Sequence, residues 1–146
     1  MGSYRHPADK PEQAAVRVLI AEDEAMIALT LCDLLEADGY EVTLTSDGAA
    51  ALTAAHDLGD TLGVLLTDLN MPLMRGEELI RALRTVQPTL PIVVLTGSPP
   101  SGGLEELRER GGGSGPFVLL HKPMNYTGLL DALRCAVFPN HLNART

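Results

Sequence analysis

Five short apolar runs, each separated from the next by a stretch of helical periodicity, limit what this 146-residue chain can fold into. The runs are residues 16–21 (VRVLIA), 40–44 (YEVTL), 63–67 (GVLLT), 91–96 (PIVVLT) and 117–121 (FVLLH). Between the first two, Ile27, Leu31, Leu34 and Leu35 recur at helical spacing, and Gly39 supplies a stop. Ala51, Ala54, Ala55 and Leu58 form a second stripe; Leu79, Ile80, Leu83 and Val86 form a third, ended by Pro88. Leu104 and Leu107 mark a short fourth helix over 101–110. Leu129, Leu130, Leu133, Ala136 and Val137 mark a fifth before Pro139.

Strict alternation of five strands with five helices calls for an α/β fold, because parallel strands need crossover helices, which then cover both faces of the sheet. The first, third and fourth runs are apolar almost throughout, as strands covered on both faces should be. The second alternates and reads as an edge. Such sheets bind ligands beyond the carboxyl ends of their strands, which predicts where the chemistry sits.

The polar residues at those ends are few. The first run leads into Glu22-Asp23-Glu24, the third into Asp68, the fourth ends in Thr96 with Gly97-Ser98 following, and the fifth ends in His121 with Lys122-Pro123 following. Clustered carboxylates stay ionised only beside a cation, and a hard ion such as Mg²⁺ suits oxygen ligands. Lys122 adds a fixed positive charge and Thr96 a hydroxyl donor. A carboxylate set beside a metal, an ammonium and a hydroxyl can accept a phosphoryl group, since the cations neutralise charge building on the transferred oxygens. This gives Asp68 a reason to stand at the end of a buried strand.

Composition narrows the alternatives. The net charge of −8 argues against a nucleic-acid-binding surface. No apolar run approaches the length of a membrane helix, and the first residues lack the apolar middle of a signal peptide. Cys32 and Cys135 lie far apart without metal-ligand spacing and read as reduced packing thiols of a cytoplasmic protein. Met71, Met74 and Met124 read as packing residues. Residues 1–15 read as a flexible lead-in or linker, 16–138 as the folded domain and 139–146 as a tail.

"AEDE" after the first strand, "TDLNMPLMRGEEL" at the third, "VLTGS" at the fourth and "HKP" at the fifth together resemble the receiver domains of two-component response regulators. The resemblance spans almost the whole chain. It implies a flavodoxin-like doubly wound fold with five parallel strands in the order 2-1-3-4-5. Asp68 would accept phosphate from a histidine kinase or histidine phosphotransfer protein. Asp23 and Asp68 would bind Mg²⁺ (or Mn²⁺) with the main-chain carbonyl of Asn70, and Glu22 would act through water. Thr96 would move toward the phosphoryl group and Lys122 would pair with it. Gly76 would let the backbone turn into the third helix, the Lys122–Pro123 bond would be cis, and Asn70 and Ser98 would tune the phosphate's lifetime.

The resemblance further implies a signalling switch, not an enzyme, beyond self-phosphorylation from small donors and autodephosphorylation. Its surface from strand 4 to helix 5 would be read by a downstream protein. The chain would be a stand-alone regulator or the receiver of a hybrid kinase. The alternative is a pseudo-receiver, the same fold binding partners without phosphorylation; the intact acid, Thr and Lys set argues against it. A dehalogenase-type phosphatase would need an acid where Asn70 stands, and three acids after strand 1 would repel a flavin phosphate.

Two features depart from the family pattern. Leu119 occupies the place, three residues before the Lys, where many receivers carry a switching aromatic; Phe117 lies two residues earlier on the same strand face. Gly111-Gly112-Gly113-Ser114-Gly115 follows the fourth helix, and so glycine-rich a segment is expected to be mobile. The region of the fourth helix is therefore the part expected to change shape.

Overall fold

The computed structural model describes residues 15–122 and 125–138. Lead-in residues 1–14, the tail 139–146, the Lys122–Pro123 peptide and Met124 lie outside the described residues. The strands are β1 (Arg17–Ala21), β2 (Glu41–Thr45), β3 (Leu62–Thr67), β4 (Ile92–Thr96) and β5 (Phe117–His121). All pair in parallel, in the order β2-β1-β3-β4-β5, as expected. The helices are α1 (Ala25–Ala37), α2 (Gly48–Leu58), α3 (Gly76–Val86), α4 (Gly103–Leu107) and α5 (Tyr126–Val137).

Because strand side chains alternate between faces, the five apolar runs build two cores. Leu19, Leu65, Ile92, Val94 and Phe117 pack with Ala51 and Ala55 of α2, Leu79 and Leu83 of α3 and Leu107 of α4. Val18, Ile20, Leu66, Val93 and Leu95 pack with Leu31 and Leu35 of α1 and Leu129 and Leu133 of α5. The middle strands β1, β3 and β4 are buried almost throughout, while β2 leaves Glu41 and Leu44 exposed at the sheet's edge. No helix among the described residues is long and apolar enough to cross a membrane.

The structure corrects three sequence expectations on the α3–α4 side. Val86 is 66% exposed, and the buried stripe of α3 instead ends in Arg84, which is only 7% exposed. The expected helix over 101–110 is split. Regular α-helix covers only Gly103–Leu107, and a wider π-type turn follows over Arg108–Gly112, where Gly111 takes φ +121°.

The third correction concerns the glycine-rich segment, which is held by arginines. The Arg84 guanidinium donates to the carbonyls of Gly112 (2.7 Å), Pro88 (2.8 Å), Leu90 and Pro116 (2.7 Å). Arg108 donates to Gly113 (2.7 Å) and Gly115 (3.0 Å), and Arg81 donates twice to Arg110. The guanidiniums of Arg84 and Arg108 both lie over the ring of Phe117, 5.8 and 5.6 Å from its centroid. The glycines serve close packing here. A Cβ on Gly112 would collide with the Phe117 ring, and one on Gly115 with the Pro88 carbonyl and Arg84.

Candidate functional site

Glu22, Asp68 and Lys122 are each the first residue past a strand, and each backbone amide continues the sheet's ladder. Glu22 N–H donates to Thr45 O (3.0 Å), Asp68 N–H to Ala21 O (3.1 Å) and Lys122 N–H to Thr96 O (2.8 Å). The sheet therefore fixes the roots of these three side chains at its carboxyl edge. There the Lys122 ammonium sits 2.8 Å from Glu22 Oε1, 3.0 Å from Asp68 Oδ2 and 3.2 Å from Glu24 Oε1.

Asp68 is 6% exposed, and its two oxygens are held differently. Oδ1 accepts from the main-chain amides of Leu69 (2.6 Å) and Asn70 (3.3 Å), whereas Oδ2 faces the Lys122 side chain. The turn after β3 is braced by the Thr67 hydroxyl, which donates to Asp68 O (2.7 Å), and by the Gly76 amide, which donates to Leu69 O (2.9 Å). Gly76 is needed for close approach: a Cβ there would strike the Asp68 carbonyl oxygen and lie 2.8 Å from Leu69 Cα. Its torsions are not the reason, since it is absent from the positive-φ residues.

The same turn holds Leu73 at φ +70° with its side chain 84% exposed. A γ-branched residue there carries strain that glycine would not, and nothing is gained by burial. Leu73→Gly is expected to raise the unfolding free energy by about 0.5–1 kcal/mol, read as a higher urea midpoint.

Burial is the largest influence on Glu22 and pushes its carboxyl above the usual glutamate range, against the pull of the Lys122 hydrogen bond. For Lys122 burial alone would lower the ammonium's pKa, but hydrogen bonds to Glu22 and Asp68 outweigh it and the net direction is upward. The ammonium thus stays charged throughout the physiological range and acts as the fixed counter-ion of the acids.

Glu22, Glu24 and Asp68 each bring a carboxylate oxygen within 4.8 Å of the others, a hard-oxygen donor set that fits a small divalent cation. Asp23 is exposed and does not belong to that set; it borders an open, mainly apolar groove with Leu29, Leu44 and Thr45. Glu24 was not singled out in the sequence. It is the N-cap residue of α1, yet its side chain makes no capping bond and turns to Lys122 instead. Its place as the third acid of the "EDE" run was the available signal.

Thr96 is fully buried at the end of β4, and its hydroxyl oxygen accepts from the Ser98 amide (3.2 Å). The Asn70 side-chain oxygen accepts from Arg75 (3.3 Å). Met71 is buried and Met74 packs against the core, in line with a packing role. Phe117, held under two guanidiniums, is not a free aromatic that could stand in for the one missing at Leu119.

The family profile described as "Response regulator receiver domain" matches residues 18–134. The response regulator receiver protein Anae109_2439 of Anaeromyxobacter sp. (strain Fw109-5) is 34% identical over 115 residues, covering 79% of this chain and 46% of that protein. The cell cycle response regulator CtrA of Brucella ovis is 32% identical over 124 residues, covering 84% of this chain and 50% of its own length. The chain thus spans about half the length of these curated relatives.

Among solved structures, the chemotaxis protein CheY4 of Vibrio cholerae superposes with a TM-score of 0.72 at 31% identity, covering 84% of this chain and 99% of that one. The receiver domain of the sensor histidine kinase PA1611 from Pseudomonas aeruginosa gives 0.70 at 24% identity, covering 85% and 98%, and holds a magnesium ion coordinated in its active site cleft. An acid held at the end of β3, a lysine at the end of β5 and the β2-β1-β3-β4-β5 sheet agree with the profile match, and this chain belongs to the response regulator receiver domain family.

Proposed function

We propose that this domain takes a phosphoryl group from a phosphohistidine donor onto Asp68 and presents the altered state to a protein partner. The observation that carries the reading is the buried Asp68 carboxylate fixed by two main-chain amides and faced by the Lys122 ammonium at 3.0 Å. With Oδ1 tied to the main chain, Oδ2 is the oxygen we assign as nucleophile. It attacks phosphorus in line; the new O–P bond forms as the donor's N–P bond breaks, and that electron pair stays on the imidazole nitrogen.

A bound Mg²⁺, held by the acids Asp23 and Asp68 and the Asn70 carbonyl with Glu22 behind a water, would supply further neutralisation of the transferred oxygens. The acid oxygens of Glu22, Glu24 and Asp68 support a cation here, although Asp23 reaches the set only by turning inward from its exposed position. Lys122 shifts its hydrogen bonds from the acids to the phosphoryl oxygens, and Thr96 gives up its Ser98 contact to follow. Asn70 and Ser98 flank the attacking water's approach and set the lifetime. The donor is a histidine kinase or phosphotransfer protein, the setting is the cytoplasm, and the reader is a protein, since the chain's negative charge disfavours nucleic acid.

Intact mass after incubation with Mg²⁺ and acetyl phosphate tests this. The expected result is a labile gain of one phosphoryl group in the wild type and none in Asp68→Asn. An adduct that persists in Asp68→Asn refutes the assignment. Cation affinity is expected to fall on acidification from a pH above the ordinary glutamate value of 4.5, because Glu22 takes up its proton early. Titration of Mg²⁺ against pH by calorimetry checks this, and a loss beginning only below 4.5 contradicts it.

A further inference from the structure

We infer that α4 is hinged at one end only: the arginine clamp around Phe117 fixes its C-terminal end, and the phosphate-linked change is confined to residues 97–107. The clamp part stands on geometry alone; the phosphate part rests on the function proposed above.

The two ends of α4 are held very differently. At the C-terminal end, Arg84 gathers carbonyls from the α3–β4 turn, the glycine-rich segment and the residue before β5 into one buried fork of donors. A planar guanidinium with five donors suits this task, and a point charge would not. Arg108, whose guanidinium also lies over the Phe117 ring, holds the carbonyls of Gly113 and Gly115. Arg110 pairs with Glu77 of α3 (3.3 Å) and with Glu106, and its carbonyl accepts both Arg81 donors. Gly112 and Gly115 leave no room for a Cβ, so the backbone there is already in contact.

At the N-terminal end the opposite holds. A Cβ on Gly97 or Gly103 would meet nothing within 4 Å, and Gly103 takes φ +64°. The bonds at this end are local: the Gly102 amide donates to Glu106, 3.0 Å away on the same helix, and the Gly103 amide to Pro100 O at 2.9 Å, three residues back. Of α4 itself Leu107, its last residue, is fully buried, and Leu104 is only half-buried against the same core. This loose end begins directly after Thr96, the residue whose hydroxyl oxygen accepts from the Ser98 amide.

Two routes are open in principle for a displacement of Thr96: along β5 through an aromatic ring, or along the backbone after β4. The first is closed, since Leu119 carries no ring and Phe117 is locked in the clamp. The second runs straight into the loose end. Movement entering there dies out at Leu107, where the clamp begins. A partner therefore reads the state from the N-terminal half of α4 and the segment before it.

Amide hydrogen exchange followed by mass spectrometry tests both halves. In the resting protein, peptides covering 98–106 are expected to exchange at least about tenfold faster than those covering 108–117, the difference between a weakly held and a fixed segment. Equal protection overturns the clamp. Arg108→Gln, a partly exposed position away from the acid site, should raise exchange over 111–116 while leaving phosphoryl uptake unchanged; unaltered exchange overturns it too. With Mg²⁺ and beryllium fluoride added, protection should change in 97–107 and stay constant in 108–117. A change of equal size in both refutes the one-ended hinge. Silence of the whole chain refutes the phosphoacceptor reading beneath it and leaves the resting-state comparison to judge the clamp.

Discussion

Arg84→Met is expected to lower the free energy of unfolding by about 3 kcal/mol, with the urea midpoint falling and the slope of the transition unchanged. Methionine keeps an apolar stem of similar length but removes every donor. The Pro116 carbonyl still receives the Ile92 amide at 3.0 Å, so it is not orphaned. The carbonyls of Gly112, Pro88 and Leu90 lose their guanidinium partner. An unsatisfied buried acceptor costs about 1–3 kcal/mol, and part of the sum is recovered because a charge no longer has to be buried. Burial does press on that charge: it is the main influence lowering the Arg84 pKa, with Arg108 second. Arg84→Lys should rescue little, since an ammonium cannot span carbonyls from three segments. A midpoint close to wild type would mean that water enters and satisfies the carbonyls.

Gly76→Ala is expected to cost about 3 kcal/mol and to cut phosphoryl uptake at least tenfold, in a protein that still folds. The added Cβ meets the Asp68 carbonyl oxygen and Leu69 Cα, backbone atoms that cannot rotate away. Relief has to come from displacing the turn after β3, which is the turn that orients the Asp68 carboxylate through the Leu69 and Asn70 amides. Stability and uptake therefore fall together. Gly97→Ala is the contrasting case, because its Cβ enters open space; its unfolding free energy should stay within about 0.5 kcal/mol of wild type. Uptake retained in Gly76→Ala would show that the turn absorbs the methyl group without moving the carboxylate.

The sheet and the ends of its strands were legible because they rest on alternation, a property each run displays by itself. Asp68 follows an apolar run and Lys122 another, and chain order alone brings both to one edge of a parallel sheet. What was hidden depends on residues distant in sequence. Nothing local distinguishes Arg84 from an exposed helix arginine. Its burial follows from carbonyls up to 32 residues away, which accept from it. The same carbonyls turn the glycine run from a flexible segment into a packed one, and the regular α-helix stops at Leu107, three residues short of the expected end, with Gly111 breaking the π-type turn that follows. Glu24 was missed for a related reason: adjacency to Asp23 says nothing about which of two neighbouring acids reaches a lysine 98 residues on.

The packed glycine run also reverses an engineer's instinct. Gly111-Gly112-Gly113-Ser114-Gly115 has the composition of a fusion linker, and by composition it would be chosen first for opening the chain or grafting a reporter. New termini there would separate the carbonyls that Arg84 and Arg108 collect, and the graft would be felt in the core around Phe117. The turn at Asp38 and Gly39, where an added Cβ meets nothing within 4 Å, is the better seam. A permutant cut at that turn should retain the acid pocket at the far edge of the sheet, and a fluorophore placed there would leave the arginine fork whole.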